Sequence, residues 1–347
     1  MSNEIVFFGS FLLFIILMLS IDLGVFNKKD HIVSFKEAAV MSFIWVSFAM
    51  GFYFLLLTEG QILHGVENFA QLQALTEKNL HNITLIPDNF GASLNIYKQN
   101  LALEFLTGYV IEYALSVDNI FVMVLIFSAF SVDERYYHRV LVWGIIGAII
   151  MRFSFIFLGA TLITRFEWIL YIFGAFLVYT GIAMLLKRDH DEKIDTNNHP
   201  VVKLVSKYFA VFPDFVGHKF FVRNNGKRYM TPLFVVLLII EFTDLIFAVD
   251  SIPAIFAVTK DPYIVFFSNI FAILGLRSMF FLLVNVIHKF HYLKVGLAFL
   301  LLFIGLKMLG HHWLELWGFQ TIHSLFIILG ILTVSVVASL AFPKKKH

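Results

Sequence analysis

Apolar residues in this chain do not alternate with polar ones. They recur in runs near twenty residues, separated by short polar connections, along the whole length. Such a run suffices to cross a hydrocarbon core about 30 Å thick as a helix. The pattern predicts nine spans, near residues 5–26, 36–58, 101–128, 139–163, 168–186, 231–258, 264–287, 293–310 and 321–342. The expected class is an all-α polytopic membrane protein. Six segments follow: two N-terminal helices (1–60), an outer segment with a short helix (61–100), a helix triplet (101–187), a cytoplasmic linker (188–230), a second triplet (231–310), and a last helix with a basic tail (311–347).

Composition agrees. Hydrophobic residues make up 59% of the chain and charged ones 14%, against about 25% charged in a soluble domain. The 42 phenylalanines suit a lipid-facing surface. A net charge of +2 offers no basic field for nucleic acid, and the absence of cysteine removes thiolate metal sites and thiol redox chemistry of the chain's own. No basic stretch precedes the first run, so it reads as a retained span and not a cleaved signal.

With nine spans, nineteen basic residues fall on one side, among them Lys28, Lys29, Arg135, Lys289 and the tail Lys344–Lys346, and four (Lys78, Lys98, Arg165, Lys260) on the other. Cytoplasmic loops are rich in Lys and Arg. The expected orientation in a bacterial inner membrane is N-terminus outside and C-terminus in the cytoplasm. Asp22 then reads as an interfacial acid, residues 187–230 as a charged linker resting on anionic headgroups, and His311-His312 as an interfacial pair. A metal site at His190, Asp191 and Asp195, and a glycosylation acceptor at Asn82-Ile-Thr84, are weaker readings of those segments.

Acids inside the runs carry the candidate chemistry. A carboxylate at a bilayer centre costs roughly 2.5–3.5 kcal/mol on insertion scales and persists where it faces a protein interior and serves a function. Glu112 and Asp118 lie in one span, Glu241, Asp244 and Asp250 in another, and Pro253 should kink or break the second helix. Aligning Asp118 with Asp250 sets Ser-Val-Asp-Asn-Ile on Ala-Val-Asp-Ser-Ile and Glu112 on Asp244. Arg152 and Arg277 follow in the next spans, then Gly181-x-x-Met184 and Gly305-x-x-Met308. Three spans per copy is an odd number, so the copies should have opposite orientations, as in inverted-repeat transporters with a midplane site. On a straight helix Glu112 and Asp118 point about 120° apart. Each pair therefore converges only if its helix unwinds or if one acid meets the other copy.

The candidate ion ligands are Glu112, Asp118, Asn119, Glu241, Asp244, Asp250 and Ser251, with Arg152, Arg277 and Lys307 as a supporting charge network. If all are near, two negative charges remain, enough for one divalent cation. All donors are hard oxygens, which favour Mn²⁺, Mg²⁺ or Ca²⁺ over softer metals. The bland alternative is a buried ion-pair network that serves folding alone. No nucleotide-binding loop and no Ser/His or Cys/His constellation occurs, so an enzyme is not expected, nor a resident cofactor.

These residues carry a resemblance. Glu112-x-x-x-Ser116-x-Asp118-Asn119, Glu241-x-x-Asp244-x-x-Phe-Ala-x-Asp250-Ser251-x-Pro253-Ala254, Ser268-Asn269-Ile-Phe-Ala-Ile-Leu-Gly-Leu-Arg277 and Asp22-Leu-Gly resemble the TerC family of integral membrane proteins, nearest its Alx-like branch. The resemblance implies Mn²⁺ efflux and metal homeostasis in metal or alkaline stress. The family is also associated by name with tellurium resistance, which nothing here but two arginines suits. The expected function is a secondary exporter of a divalent cation, with protons as coupling ion. The alternative is a non-transporting membrane scaffold or stress and redox modulator that docks soluble partners through residues 187–230.

Overall fold

The computed structural model describes residues 3–26, 33–81, 83–87, 89–166, 168–186, 210–224, 227–284, 292–310, 313–314 and 319–342. The helices are α1 (Asn3–Phe26), α2 (Phe35–Glu59), the short α3 (Gln61–His64) and α4 (Phe69–Lys78), then α5 (Phe90–Ala129), α6 (Tyr137–Arg165) and α7 (Ile169–Leu186). A hairpin of β1 (Phe221–Asn224) and β2 (Lys227–Met230) leads into α8 (Pro232–Phe256), α9 (Pro262–Val284), α10 (Leu293–Leu309) and α11 (Thr321–Ala341). Seven of these helices (α2, α5, α6, α7, α8, α9 and α11) are long and apolar enough to cross a bilayer. The apolar part of α1 is shorter, Glu4–Ser20, and α10 has 17 residues. The chain is an all-α polytopic membrane protein.

Helix starts follow local chemistry. Ser34 and Glu37 form a capping box on α2, and Pro232 opens α8 where its missing N–H costs nothing. Asn89 caps α5 by accepting from the Ala92 N–H at 3.0 Å. From there α5 runs 40 residues, about 60 Å and so about twice the hydrocarbon thickness. It begins eleven residues before the predicted span because Ser93, Tyr97 and Leu101, buried at successive turns, extend its packed stripe. This end of the bundle, which carries α3 and α4, is the α4 face. The opposite end is the hairpin face, where Thr231 donates to the Lys219 carbonyl at 2.7 Å and the Arg139 guanidinium sits 4.9 Å from the Phe220 ring centre. The reading of residues 188–230 as a charged linker does not anticipate this hairpin.

Helix α9 is the hub. Of its apolar window 89% is buried, against 17% for α7 and 22% for α2. A helix apolar all round is one buried all round. Many phenylalanines are therefore interior and not lipid-facing: Phe11 and Phe267 stack edge-on at 4.4 Å, and Phe52 contacts Phe105 at 5.0 Å and Phe271 at 5.1 Å.

The two helix triplets interlock: α5 packs on α9, α6 on α8 and α7 on α10. The last pair is nearly backbone to backbone. A Cβ on Gly305 would stand 2.7 Å from the Gly174 carbonyl oxygen, and one on Gly181 2.9 Å from that of Ala298. Small residues let helices approach this closely in membranes, where packing drives association.

The expected unwinding before Pro253 is absent. Helix α8 continues from Pro232 through Phe256. Pro253 sits in its last turn, where the Ala257 N–H donates to its carbonyl at 3.0 Å. Only the Val249 carbonyl loses its helical donor, and one lost bond so near a helix end does not open the acids upstream.

Candidate functional site

Arg152 of α6 is 1% exposed and reaches into the space between α5, α8 and α9. Its Nη1 donates to the Glu112 carboxylate, to Asn269 Oδ1 at 2.8 Å and to Ser251 Oγ at 3.4 Å. Its Nη2 donates to Asp244 Oδ1 at 3.2 Å. Asn269 Nδ2 in turn donates to Glu112 Oε2 at 3.1 Å. One planar guanidinium thus serves acceptors on three helices, as its fork of five donors allows. Three buried polar atoms beside it have no hydrogen-bond partner: Arg152 Nε, Asp244 Oδ2 and Ser116 Oγ. The group of Glu112, Asp244 and Arg152 carries one net negative charge, with unused acceptor capacity on Asp244.

Asp118 and Asp250 form a second group. Both are half-buried. The charge of Asp118 acts on Asp250, whose Oδ1 accepts from Thr180 of α7 at 3.3 Å. The 120° offset within each helix is therefore resolved across the triplets, with both helices intact. Glu112 meets Asp244 through Arg152, and Asp118 lies within electrostatic range of Asp250. Asn119 is buried on the same turn of α5.

Glu241 and Arg277 flank the first group toward the hairpin face. The Glu241 carboxylate lies on Gly147 of α6, where any side chain would collide with it. Glu241, Asp244 and Arg277 line a small cavity with Met123, Leu141 and Gly144, and Arg277 Nη1 lies 2.9 Å from His138 Nε2.

Lys307 does not join this network. It lines a pocket at the α4 face with Glu104, Thr259 and Lys260. Glu104 precedes Glu112 by eight residues on α5, about 12 Å. A single pool of five acids and three bases is thus replaced by separate groups, because Lys307 lies in the last turn of α10. Among the described residues, no three His, Asp or Glu side chains are arranged to hold a metal ion as they stand. Arg152 itself stands between Glu112 and Asp244. Asn82, His190, Asp191, Asp195, His311, His312, the Lys344–Lys346 tail and the side chain of Asp22 lie outside the described residues.

Two ligands of the buried groups, Asn269 and Thr180, are neutral and escape a search for charges in apolar runs. A further cluster at the α4 face, of Glu4, His64, His81, Glu104 and Asp261, draws on five separate segments.

The model of the integral membrane protein TerC family matches residues 97–347, beginning within α5, and so takes in every residue of the Arg152 and Asp250 groups. The chain belongs to the TerC family. It is 42% identical over 340 residues to an uncharacterized membrane protein of Myxococcus xanthus, covering 98% of this chain and 92% of that one. It is 41% identical over 335 residues to an Escherichia coli K12 protein, Alx, whose name describes a proposed membrane-bound redox modulator; 95% of this chain and 92% of Alx are covered. A membrane protein of Rickettsia bellii is 39% identical, with 93% of each chain covered. No solved structure matches the chain.

Proposed function

We propose that this TerC protein is a secondary transporter that exports a divalent cation, Mn²⁺ foremost, from the cytoplasm across the inner membrane. The observation that carries the reading is the buried meeting of carboxylates from the two helix triplets around one guanidinium. A charged network inside a membrane bundle is costly and marks ion pathways. Arg152 then acts as a built-in counter-cation. It neutralises Glu112 and Asp244 when no ion is bound, and an arriving divalent ion takes over their charge as the guanidinium swings aside. Asp118 and Asp250, with Asn119, Ser251 and Thr180 nearby, offer a second set of hard oxygen donors. The site residues Glu112, Asp118, Asn119, Glu241, Asp244, Asp250 and Ser251 match a Mn²⁺ cargo in donor type. Desolvated carboxylates that release a metal readily take protons, so proton antiport is the coupling this reading adopts. The interlocked pairing of α5 with α9, α6 with α8 and α7 with α10 supports an inverted repeat, with the α4 face outside and alternating access around the buried groups.

The name of the Alx relatives motivates a second reading, a membrane scaffold or redox modulator. This chain has no cysteine, so redox effects would be indirect, through metal content or a soluble partner at 187–230. Intracellular metal content under excess Mn²⁺, measured by mass spectrometry with and without the gene, separates the two. The exporter reading requires lower Mn²⁺ in cells carrying the gene. Equal content would favour the scaffold.

A further inference from the structure

At the α4 face, His64 of α3 lies between two acids. Its Nδ1 is 3.0 Å from Glu4 Oε1 at the start of α1, and its Nε2 is 2.8 Å from Asp261 Oδ2 in the α8–α9 connection. His81, after α4, lies 3.0 Å by its Nδ1 from Glu104 Oε1 of α5. Its Nε2 is buried without a hydrogen-bond partner, 4.0 Å from the same Asp261 oxygen. Glu104 also accepts from Thr259 at 2.6 Å and Asn100 at 2.7 Å, and Asp261 from the Tyr263 N–H at 2.9 Å. The histidine side chains are 2% and 0% exposed, those of Asp261 and Glu104 0% and 3%.

The other titratable groups facing the cluster are Lys78 of α4, Tyr97 of α5, Lys260 of the connection, Tyr263 of α9 and Lys307 of α10. Burial opposes charge on His64, but Asp261 and Glu4 outweigh it and push its pKa up to about 9. Burial likewise opposes charge on His81, and Glu104 with Asp261 outweighs it in the same direction. For Asp261, burial is outweighed by the two imidazoles, and its pKa is lowered. Three carboxylates and two imidazolium ions then hold one another, with only Glu4 partly exposed to solvent.

The cluster also lies in line with the buried acids along α5. Gly108 is one turn of α5 inward from Glu104 and one turn before Glu112. A Cβ there would stand 2.8 Å from Ser268 Oγ of α9. This close contact of α5 with α9 lies between Arg152 and the α4 face, and the histidine cluster fastens the helix ends beyond it.

We propose that the His64–Asp261–His81 cluster is a second proton-binding site, apart from the buried acids, whose two protons latch the α4 face shut. With both imidazoles charged, α1, α3, α5 and the α8–α9 connection are tied together. Loss of those protons leaves the buried Asp261 and Glu104 carboxylates, and the half-buried Glu4, without their counter-charges, and the tie opens. The role in transport rests on the exporter reading above, but the latch itself does not.

The test needs no metal. The chain has no cysteine, so Ser268→Cys introduces a single thiol at a fully buried position between the latch and Arg152. Its labelling by a polar maleimide in detergent micelles is compared at pH 6.5 and 9.5. Rates are normalised to Gln73→Cys on exposed α4, which corrects for thiolate formation at an exposed thiol, and the His64→Gln comparison at each pH corrects for the higher pKa of a buried one. The expected result is a rise of fivefold or more in the normalised rate at pH 9.5. Added His64→Gln should make labelling fast at both pH values. An equal normalised rate at both pH values would overturn the latch, and so would a rise that persists unchanged with His64→Gln. If His64→Gln does not fold, His81→Gln, which removes the other imidazole of the cluster, takes its place in the comparison. Loss of Mn²⁺ export with the latch intact would count against the transporter reading only.

Discussion

Arg152 of the first helix triplet donates to Asp244 of the second at 3.2 Å, across a boundary that 92 residues of chain separate. Because the same guanidinium also holds Glu112, it ties α5, α6 and α8 at one buried point. Removing one partner of a buried pair costs about 3–5 kcal/mol, because it leaves an uncompensated charge. Arg152→Gln leaves both Glu112 and Asp244 without their guanidinium and should lower folded yield and Tm in detergent, whereas Asp244→Asn keeps the Glu112–Arg152 pair and should cost less. Adding Glu112→Gln and Asp244→Asn to Arg152→Gln should recover most of the loss. A triple variant no more stable than Arg152→Gln would mean that the groups are not coupled.

The α7–α10 contact should be equally sensitive to size. Gly181 packs on the Ala298 carbonyl and on Leu302, so Gly181→Leu forces the helices apart, at a cost of about 1–3 kcal/mol or more. Gly330 of α11 has open space around it, and Gly330→Leu should be tolerated. Equal Tm for the two variants would contradict the packing.

The cluster at the α4 face gives stability a defined pH dependence. The pKa of His64 is raised from 6.5 to about 9 in the folded chain. A group raised on folding contributes fully below its unfolded value and ceases to contribute as pH rises through its folded one. Tm should thus fall as pH increases from about 6.5 to above 9, and His64→Gln should flatten that slope. A Tm that rises over this range would reverse the assignment of charge.

Orientation is open to direct measurement. The excess of basic residues in alternate connections predicts Gln71 outside and Asn197 in the cytoplasm. Fusions active only in the periplasm should report at Gln71, and fusions active only in the cytoplasm at Asn197. The opposite pattern at both would invert the export direction.

Much of this architecture is legible in the pattern of apolar runs, since a helix in lipid must be long and apolar whatever its neighbours. The N-terminal extension of α5 is hidden because its packed stripe of Ser93, Tyr97 and Leu101 is partly polar. The hairpin does have a local signal, Asn225-Gly226 between Arg223 and Arg228, the pair that two-residue hairpin turns favour. Acids in apolar runs point to Glu112, Asp244, Asp118 and Asp250, but not to which acid meets which. That depends on α5 and α8 both staying helical, and Pro253 lies too near the end of α8 to unwind it. Lys307 is an intramembrane charge by sequence, but the last turn of α10 carries it to the α4 face. His64, His81 and Asp261 lie in connections, where a titratable residue is unremarkable until the fold buries it.

The central claim, that paired buried acids move a divalent ion, is tested most directly by flux through the purified protein. The unaltered chain, Asp118→Asn and Asp250→Asn are reconstituted in liposomes holding a Mn²⁺-quenched dye, with a pH gradient imposed. The account predicts Mn²⁺ entry for the unaltered protein, faster with the gradient, and a loss of tenfold or more in both variants at unchanged Tm. Well-folded variants that carry Mn²⁺ at the unaltered rate, or no flux in any of the three, would contradict it.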